Sequence, residues 1–252
     1  MQDYKKKDKF LAQDNLYNFP YHYLPEKIGE KIIKPFRVYF WLYDYLLLHD
    51  FLRRKITEFK DSKILDFGCG DGKLINELKR NTKNKLFGYE ISKRASSFFR
   101  AFNSEIDLIQ NDNDLDQFEN FFDVVIFSEV IEHIRDDEVV EVVNRINKIL
   151  KKKGFLFITA PHENLPVHKK HYRHYNFQKL IDNFPVEKYE LVEKKFLFKT
   201  SLFKTLIRKL FFNRFFILNI NLLYKLYFKL NKLYFFSSEK KCETIFLILK
   251  KK

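Results

Sequence analysis

Apolar and polar positions alternate along the chain in a way that predicts strands separated by helices. Apolar runs of strand length cover residues 63–67, 85–91, 106–109, 122–127, 155–160, 188–196 and 242–249. Apolar residues at helical spacing cover residues 35–59, the stretch before residue 80, and residues 93–102, 136–152 and 176–181. Strands alternating with helices predict an α/β fold with a mostly parallel sheet.

A glycine-rich turn follows the strand predicted at residues 63–67. The pattern is Asp66-x-Gly68-x-Gly70-x-Gly72, which uses three of the six glycines in the chain. Closely spaced glycines let a backbone bend tightly and let a ligand approach where a Cβ would collide. A strand, such a turn and a following helix form the crevice in which doubly wound proteins bind nucleotide-like ligands.

This pattern resembles motif I of class I S-adenosylmethionine (AdoMet) methyltransferases. The resemblance implies a Rossmann-like fold with a seven-stranded, mostly parallel sheet whose last strand is antiparallel. It also implies that Asp66 helps to hold the ammonium group of the cofactor, and that Asp112 meets its adenine, with Asn111 or Asn113 as alternatives. The predicted cofactor-binding residues are Asp66, Gly68, Cys69, Gly70, Gly72, Glu90, Ile91, Asp112 and Ser128.

Glu90 closes the second predicted strand, 24 residues after Asp66. An acid at this distance from a glycine-rich turn is typical of a residue that grips a ribose diol. A carboxylate can accept hydrogen bonds from both hydroxyl groups at once, so Glu90 is predicted to bind the ribose.

The run Ser128-Glu129-Val130-Ile131-Glu132-His133-Ile134 follows the fourth predicted strand. It resembles the run found after strand four in O-methyltransferases of quinone biosynthesis and, in part, in metal-dependent 2′-O-methyltransferases of small RNA. The resemblance to the second group implies a divalent-metal site at Glu129, Glu132, His133 and His174. The Thr-Pro-Asn usual in that group is replaced here by Thr159-Ala160-Pro161-His162.

Five of the seven histidines lie at position 133 or between positions 162 and 174. An alcohol is a poor nucleophile at neutral pH, so methyl transfer to oxygen needs a base or a metal. In one interpretation a histidine is the general base, and the predicted catalytic residues are His133, Glu132 and His174. In the other, the four residues above bind Mn²⁺, Fe²⁺, Zn²⁺ or Mg²⁺, because mixed carboxylate and imidazole ligands suit such ions.

The net charge of +14 and the pI near 9.5 favour anionic partners. Residues 194–241 contain twelve lysines and arginines and one acid, interleaved with phenylalanine and leucine. Their longest uncharged run, residues 215–224, is too short to span a membrane. We expect amphipathic helices that lie on an anionic membrane surface, pack on the domain or form a subunit contact.

The predicted organisation has three parts: an N-terminal strap and helix (1–59), a methyltransferase core (60–198 with 242–252) and a basic helical insertion (199–241). The two cysteines, Cys69 and Cys242, and a charged N-terminal stretch favour a cytoplasmic protein, with peripheral contact to the inner membrane face as an option. Residues 17–25 predict an extended aromatic strap, in which Tyr21, His22 or Tyr23 could cover the pocket.

The function expected is AdoMet-dependent O-methylation of a small or carrier-linked hydroxyl or phosphorylated compound in surface glycan (capsule or lipopolysaccharide) biosynthesis. The alternatives are a metal-dependent RNA 2′-O-methyltransferase and a non-catalytic protein that binds a membrane surface. Nucleic acid is the less favoured partner, because the basic residues are interleaved with bulky apolar ones.

Overall fold

The molecule is built around one mixed β-sheet, shown by a computed structural model that describes residues 9–12, 14, 17, 26–28, 31–33, 41–202, 206 and 221–252. Two short strands, β1 (Glu26–Ile28) and β2 (Lys31–Ile33), form a separate antiparallel hairpin. The sheet contains β3 (Lys63–Phe67), β4 (Lys85–Tyr89), β5 (Asp107–Ile109), β6 (Phe122–Ser128), β7 (Leu150–Pro161), β8 (Tyr189–Lys199), β9 (Phe236–Ser237) and β10 (Cys242–Lys251).

The strand order across the sheet is β5-β4-β3-β6-β7-β10-β8-β9. The first five strands in this order are parallel, whereas β10 runs antiparallel to both β7 and β8. The predicted Rossmann-like sheet with an antiparallel last strand is therefore confirmed. The sheet has eight strands and not seven, because two residues of the predicted insertion form β9 at the edge beside β8.

Seven α-helices have defined bounds in the described part of the chain: α1 (Trp41–Ile56), α2 (Lys73–Lys79), α3 (Lys93–Phe102), α4 (Asp112–Leu115), α5 (Val139–Ile149), α6 (Phe177–Ile181) and α7 (Asn221–Leu233). Polar caps determine where two of them begin. The side chain of Ser92 accepts a hydrogen bond from the backbone N–H of Ala95, and that of Asn176 accepts one from Lys179. No helix among these residues is long and apolar enough to cross a membrane.

The sheet is buried on both faces, which explains why its central strands are almost continuously apolar. Along β6, Val125 and Phe127 join one apolar cluster, and Val124 and Ile126 join the cluster on the opposite face. Both clusters are covered by helices, with α5 contributing to the first and α1 and α2 to the second.

The parallel strands end at a common edge of the sheet. Asp66 on β3 is in register with Gly88 on β4 and with Ile126 on β6, while Ser128 at the end of β6 is in register with Thr159 on β7. The loops that follow β3, β4, β5, β6 and β7 therefore meet at this edge, where doubly wound proteins bind their ligands.

Several predicted boundaries differ from the structure by a few residues, and the largest difference lies between α5 and β7. The helix predicted over 136–152 covers Val139–Ile149, and β7 begins at Leu150, because Leu150 pairs with Phe122 on β6. Residues 35–40 and 18–25, with the strap candidates Tyr21, His22 and Tyr23, lie outside the described residues, as does most of 203–220.

Candidate active site

A cavity of about 570 Å³ lies at the common carboxyl edge of the parallel strands. Its walls come from the loops after β3, β4 and β6, from helices α1 and α5, and from residues near the N-terminus. The predicted cofactor-binding residues that line it are Asp66, Gly68, Cys69, Gly70, Glu90, Ile91, Asp112 and Ser128. The sequence therefore predicted residues that the fold gathers around one cavity.

The glycine turn has a left-handed backbone at Gly68, Gly70 and Gly72, with φ of 82°, 58° and 80°. A Cβ on Gly68 would lie 2.6 Å from Cγ2 of Val130. Gly72 does not line the cavity: a Cβ there would lie 2.5 Å from the ring of Phe99, so this glycine allows α3 to pack closely.

Glu90 holds the turn in place from the end of β4. Its carboxylate accepts hydrogen bonds from the backbone N–H of Gly70 at 2.9 Å and of Ser92 at 2.7 Å. Burial raises the pKa of Glu90, and these two bonds oppose that rise. Since a carboxylate has about four acceptor positions, the remaining ones stay available to a ribose diol.

Asp66 is buried next to Glu90 at the end of β3. Burial, and then the negative charge of Glu90, raise the pKa of Asp66 to about 7. A carboxyl group with such a pKa gains from a cation placed beside it. This property agrees with its predicted contact to an ammonium group.

Asp112 opens α4 on another wall of the cavity, whereas Asn111 and Asn113 do not line it. Its carboxylate accepts a hydrogen bond from the hydroxyl of Tyr89 and forms an ion pair with Arg145 of α5 at 2.7 Å. These partners fix the position of Asp112, and half of its side chain stays accessible.

Glu129 stands directly after β6 in a left-handed backbone conformation, with φ of 56°. Its backbone N–H donates to the carbonyl oxygen of Thr159 at 3.0 Å, and the hydroxyl of Ser128 bonds that of Thr159 at 2.8 Å. Glu129 lines the cavity, and its Oε1 is buried without a hydrogen-bond partner. Burial raises its pKa to about 7, against the opposing effects of Thr159 and of the charge on Lys170.

Glu132 and His133 lie in a 3₁₀ turn, Ile131–His133. Glu132 is buried behind the cavity wall, where burial and the charge of Glu129 raise its pKa well above its usual value. His133 lines the cavity, and burial lowers its pKa to about 3, so the ring is neutral at pH 7. Its Nδ1 faces the carbonyl oxygen of Lys170 at 3.2 Å and therefore carries the proton, which leaves a lone pair on Nε2.

His171 and His174 form a second pair of imidazoles beside His133. Nδ1 of His174 faces the carbonyl oxygen of Leu165 at 3.0 Å, so it donates, and Nε2 of His174 then accepts from Nδ1 of His171 at 2.8 Å. This arrangement leaves a lone pair on Nε2 of His171. One ligand atom each from Glu132, His133 and His171 lie within 4.8 Å of one another.

The predicted metal set is thus only partly gathered into that group of three. His171 belongs to it, although the prediction named His174, which forms a hydrogen bond with His171; neither of these two histidines lines the cavity. Glu129 faces the cavity beside the group. Both histidines lie in a loop without periodicity, so spacing alone could not separate them.

No sequence pattern predicted that Lys9, Asp14 and Lys170 would line the cavity. Lys170 projects a half-buried ammonium toward the cavity, and this group has no hydrogen bond or ion pair within 4 Å among the residues described. Near the N-terminus, Lys9 donates to the carbonyl oxygen of His171, and Asp14 accepts from the hydroxyl of Ser92, both at 2.5 Å. The N-terminal segment therefore contacts both sides of the cavity.

Comparison with protein families places a match over residues 40–192, to the family described as "Methyltransferase domain". This range includes the glycine turn, Glu90 and the Glu129–His133 region. A search of curated proteins finds no significant match.

Solved structures share the fold at low sequence identity. A SAM-dependent methyltransferase from Archaeoglobus fulgidus is 16% identical, with a TM-score of 0.58, over 85% of this chain and 100% of that chain. The N-methyltransferase NodS from Bradyrhizobium japonicum, in complex with S-adenosyl-L-homocysteine, is 14% identical, with a TM-score of 0.54, over 83% of this chain and 87% of that chain.

The [4+2]-cyclase SpnF matches over 99% of this chain and 94% of its own, with 16% identity and a TM-score of 0.58. At these identities the likeness shows a common fold, and the differing names show that this fold supports more than one reaction.

Proposed function

Because the chain belongs to the methyltransferase-domain family and is a SAM-dependent methyltransferase, we propose that it methylates a hydroxyl oxygen. The acceptor we propose is a small or carrier-linked hydroxyl or phosphorylated compound of surface glycan (capsule or lipopolysaccharide) biosynthesis. The observation that carries the proposal is that Glu129, a carboxyl group with a pKa of about 7, lines the same cavity as the glycine turn. The choice of a glycan compound rests on three features of the sequence: the short chain, the histidines of the loop at 162–174 and the basic and apolar insertion.

When bound, AdoMet supplies an electrophilic methyl group on a sulfonium. The residues of this chain have to place an acceptor oxygen in line with that group and accept its proton. Glu129 suits the proton-accepting role, because its pKa is about 7 and its Oε1 has no hydrogen-bond partner among the described residues. His133 presents the lone pair of Nε2, but its pKa of about 3 makes it the weaker proton acceptor at pH 7. The ammonium of Lys170 on the same wall would stabilise the negative charge that develops on the oxygen.

The first test supplies methyl-labelled AdoMet with a panel of sugars, sugar phosphates and lipid-linked sugars. We expect a label that resists alkali and hydroxylamine, as an ether does. Label on nitrogen, or a label released by mild alkali as from an ester, would refute O-methylation. His162→Ala is the matched control for His133→Ala, because His162 is a buried histidine that does not line the cavity.

A metal-dependent form of the reaction is a second candidate, favoured by the grouping of Glu132, His133 and His171. These residues fit a divalent ion such as Mn²⁺, Fe²⁺ or Zn²⁺ in ligand type, and the remaining nitrogens of the two imidazoles are held by hydrogen bonds. In this form the metal would hold oxygens of the acceptor. The nearby positive charge of Lys170 opposes such an ion.

Metal analysis of protein purified without chelator separates the two forms. A bound metal that is lost in Glu132→Gln and His171→Ala, and kept in His168→Ala, would support the metal-dependent form. His168 lies in the same loop but outside the group of three. Full activity in EDTA would leave the metal-free form.

If RNA were the acceptor, binding of RNA should weaken steeply as the salt concentration rises, because contacts to phosphate release counterions.

We also propose a cytoplasmic location with peripheral contact to an anionic membrane. Along α7, Lys225, Lys229 and Lys232 are exposed together with Leu226 and Leu233. A stripe of cationic and apolar side chains suits the surface of a bilayer. Flotation with vesicles that contain anionic lipid, compared with neutral vesicles, tests this contact, and equal binding to both would refute it.

A further inference from the structure

Arg173 ties a loop to the turn that forms one wall of the active-site cavity. It lies between β7 and α6, is partly buried and does not line the cavity. Its Nη1 donates a hydrogen bond to the carbonyl oxygen of Ile131 at 3.2 Å, and its Nη2 donates one to that of Ile134 at 2.7 Å. These two carbonyl groups stand on either side of Glu132 and His133, so one guanidinium group clamps the 3₁₀ turn that carries both.

The turn is short, and its own hydrogen bonds are unequal in length. The backbone N–H of His133 donates to the carbonyl oxygen of Val130 at 2.9 Å, and that of Ile134 donates to Ile131 at 3.3 Å. Hydrogen bonds in a 3₁₀ turn have poorer geometry than those in an α-helix, and buried carbonyl groups need partners. Arg173 supplies such partners at both ends of the turn.

The guanidinium group is itself anchored to the sheet. Nη1 also donates to the hydroxyl of Tyr175 at 2.9 Å. Tyr175 is buried, and its backbone N–H donates to the carbonyl oxygen of Pro161, at the end of β7, at 3.0 Å. Nε of Arg173 pairs with the carboxylate of Asp136, which is largely exposed. Because arginine presents its N–H donors in a rigid planar fork, Arg173 holds the turn at a fixed position relative to β7.

Two further hydrogen bonds join the same loop and turn. The backbone N–H of Tyr172 donates to the carbonyl oxygen of Glu132 at 2.8 Å, and Nδ1 of His133 faces the carbonyl oxygen of Lys170 at 3.2 Å. The loop and the turn are thus joined through backbone and side chains alike, and Arg173 makes the charged contacts between them.

We propose that Arg173 is a positioning residue that holds this wall against the acceptor and thereby sets the rate of methyl transfer, without taking part in cofactor binding. The inference rests on the proposed methyl transfer in this cavity. The glycine turn is held separately, by the carboxylate of Glu90. The residues of the clamped segment that line the cavity are Val130, His133, Ile134 and Arg135.

Hydrogen exchange of the ligand-free protein tests the positioning without an acceptor. In Arg173→Ala, the backbone N–H groups of Ile134 and Tyr172 should exchange at least about tenfold faster, because two charge-assisted hydrogen bonds are lost. The N–H of Gly70 in the glycine turn should keep its rate. Arg173→Lys keeps the charge but not the fork, and should lie between the two proteins. Unchanged exchange in the clamped turn, or an equal increase at Gly70, would overturn the proposal.

Kinetics with methyl-labelled AdoMet and the panel of sugars, sugar phosphates and lipid-linked sugars test the effect on the reaction. Arg173→Ala should lower kcat about 10- to 100-fold, because a small displacement of the groups around a reacting oxygen has an effect of this size. The affinity for S-adenosylhomocysteine, measured by calorimetry, should change less than about threefold. An unchanged kcat, or a loss of affinity as large as the loss of kcat, would contradict the proposed role.

Arg53→Ala is the matched control, because Arg53 is also partly buried, pairs with Asp50 on α1 and does not line the cavity. Asp136→Asn removes only the exposed ion pair of Arg173 and should change kcat less than about twofold. A wild-type protein that labels no member of the panel would instead overturn the proposed acceptor, while hydrogen exchange would still decide whether Arg173 holds the turn.

Discussion

The buried carboxyl group of Asp66 should make the stability of the ligand-free protein depend on pH. Its pKa is about 7 in the folded protein, against an ordinary value of 3.8. Well below pH 3.8 the carboxyl group is protonated in both the folded and the unfolded state, so ionisation does not favour the unfolded state and the folded protein is at its most stable with respect to this group. As pH rises toward 7 the unfolded state loses the proton first, and this stability is lost.

The gap between 3.8 and about 7 corresponds to about 4 kcal/mol in total. Between pH 5 and pH 7 the loss is about 2–3 kcal/mol. Asparagine at position 66 cannot titrate, so the stability of Asp66→Asn relative to the wild type should rise by this amount over the same interval. Urea unfolding of both proteins at pH 5, 6, 7 and 8 measures the difference.

Asp116→Asn is a suitable control, because Asp116 is exposed and the hydrogen bond and charge of Lys148 lower its pKa, so it does not titrate above pH 5. Curves for wild type and Asp66→Asn that stay parallel from pH 5 to pH 8 would refute the reasoning. The same ionisation predicts that the affinity for S-adenosylhomocysteine rises with pH, by up to about tenfold per pH unit below pH 7, in the wild type but not in Asp66→Asn.

Three further predictions concern the turn and the end of the sheet. Gly72→Ala places a Cβ 2.5 Å from the ring of Phe99 and 2.6 Å from Nδ2 of Asn103, at φ of 80°, so urea unfolding should show a loss of about 2–5 kcal/mol. Phe99→Leu in the same chain should recover no more than the part due to the clash with Phe99. Glu90→Gln removes a charged acceptor of two backbone N–H groups, and calorimetry should show at least about tenfold weaker binding of S-adenosylhomocysteine. Lys251→Ala removes bonds to the carbonyl oxygens of Asn147 at 2.6 Å and Leu150 at 2.7 Å, and should lower the unfolding free energy by about 1–3 kcal/mol with ligand affinity unchanged, since Lys251 does not line the cavity.

Sequence patterns located the elements that carry strong local signals. Strand β3 and helix α3 have the predicted bounds, since a glycine turn ends the first and the Ser92 cap begins the second. The boundary between α5 and β7 had no such signal. Lysines 151–153 suit the end of a helix or an exposed strand equally, and the pairing of Leu150 with Phe122 decided between them.

In the candidate site, too, some residues could be predicted from the sequence and others could not. Residues at the ends of strands, such as Asp66, Glu90 and Glu129, were predictable because the parallel order of the sheet brings strand ends together. Two features depend on the path of a loop: that His171, and not the predicted His174, lies close to Glu132 and His133, and that Lys170 lines the cavity. Hydrogen bonds of that loop hold its side chains in place, among them those between His174 and Leu165, between His133 and Lys170, and from Tyr172 to Glu132.

The left-handed backbone at Glu129 has a consequence for protein engineering. A residue with a Cβ is destabilised in this conformation by about 1–2 kcal/mol, a cost that glycine does not carry. A screen for heat resistance alone would therefore reward Glu129→Gly, and so would sequence redesign on this backbone. Either would remove a carboxylate that lines the cavity and leave a sturdier protein without it. Libraries built on this chain should hold position 129 constant or select for turnover together with melting temperature.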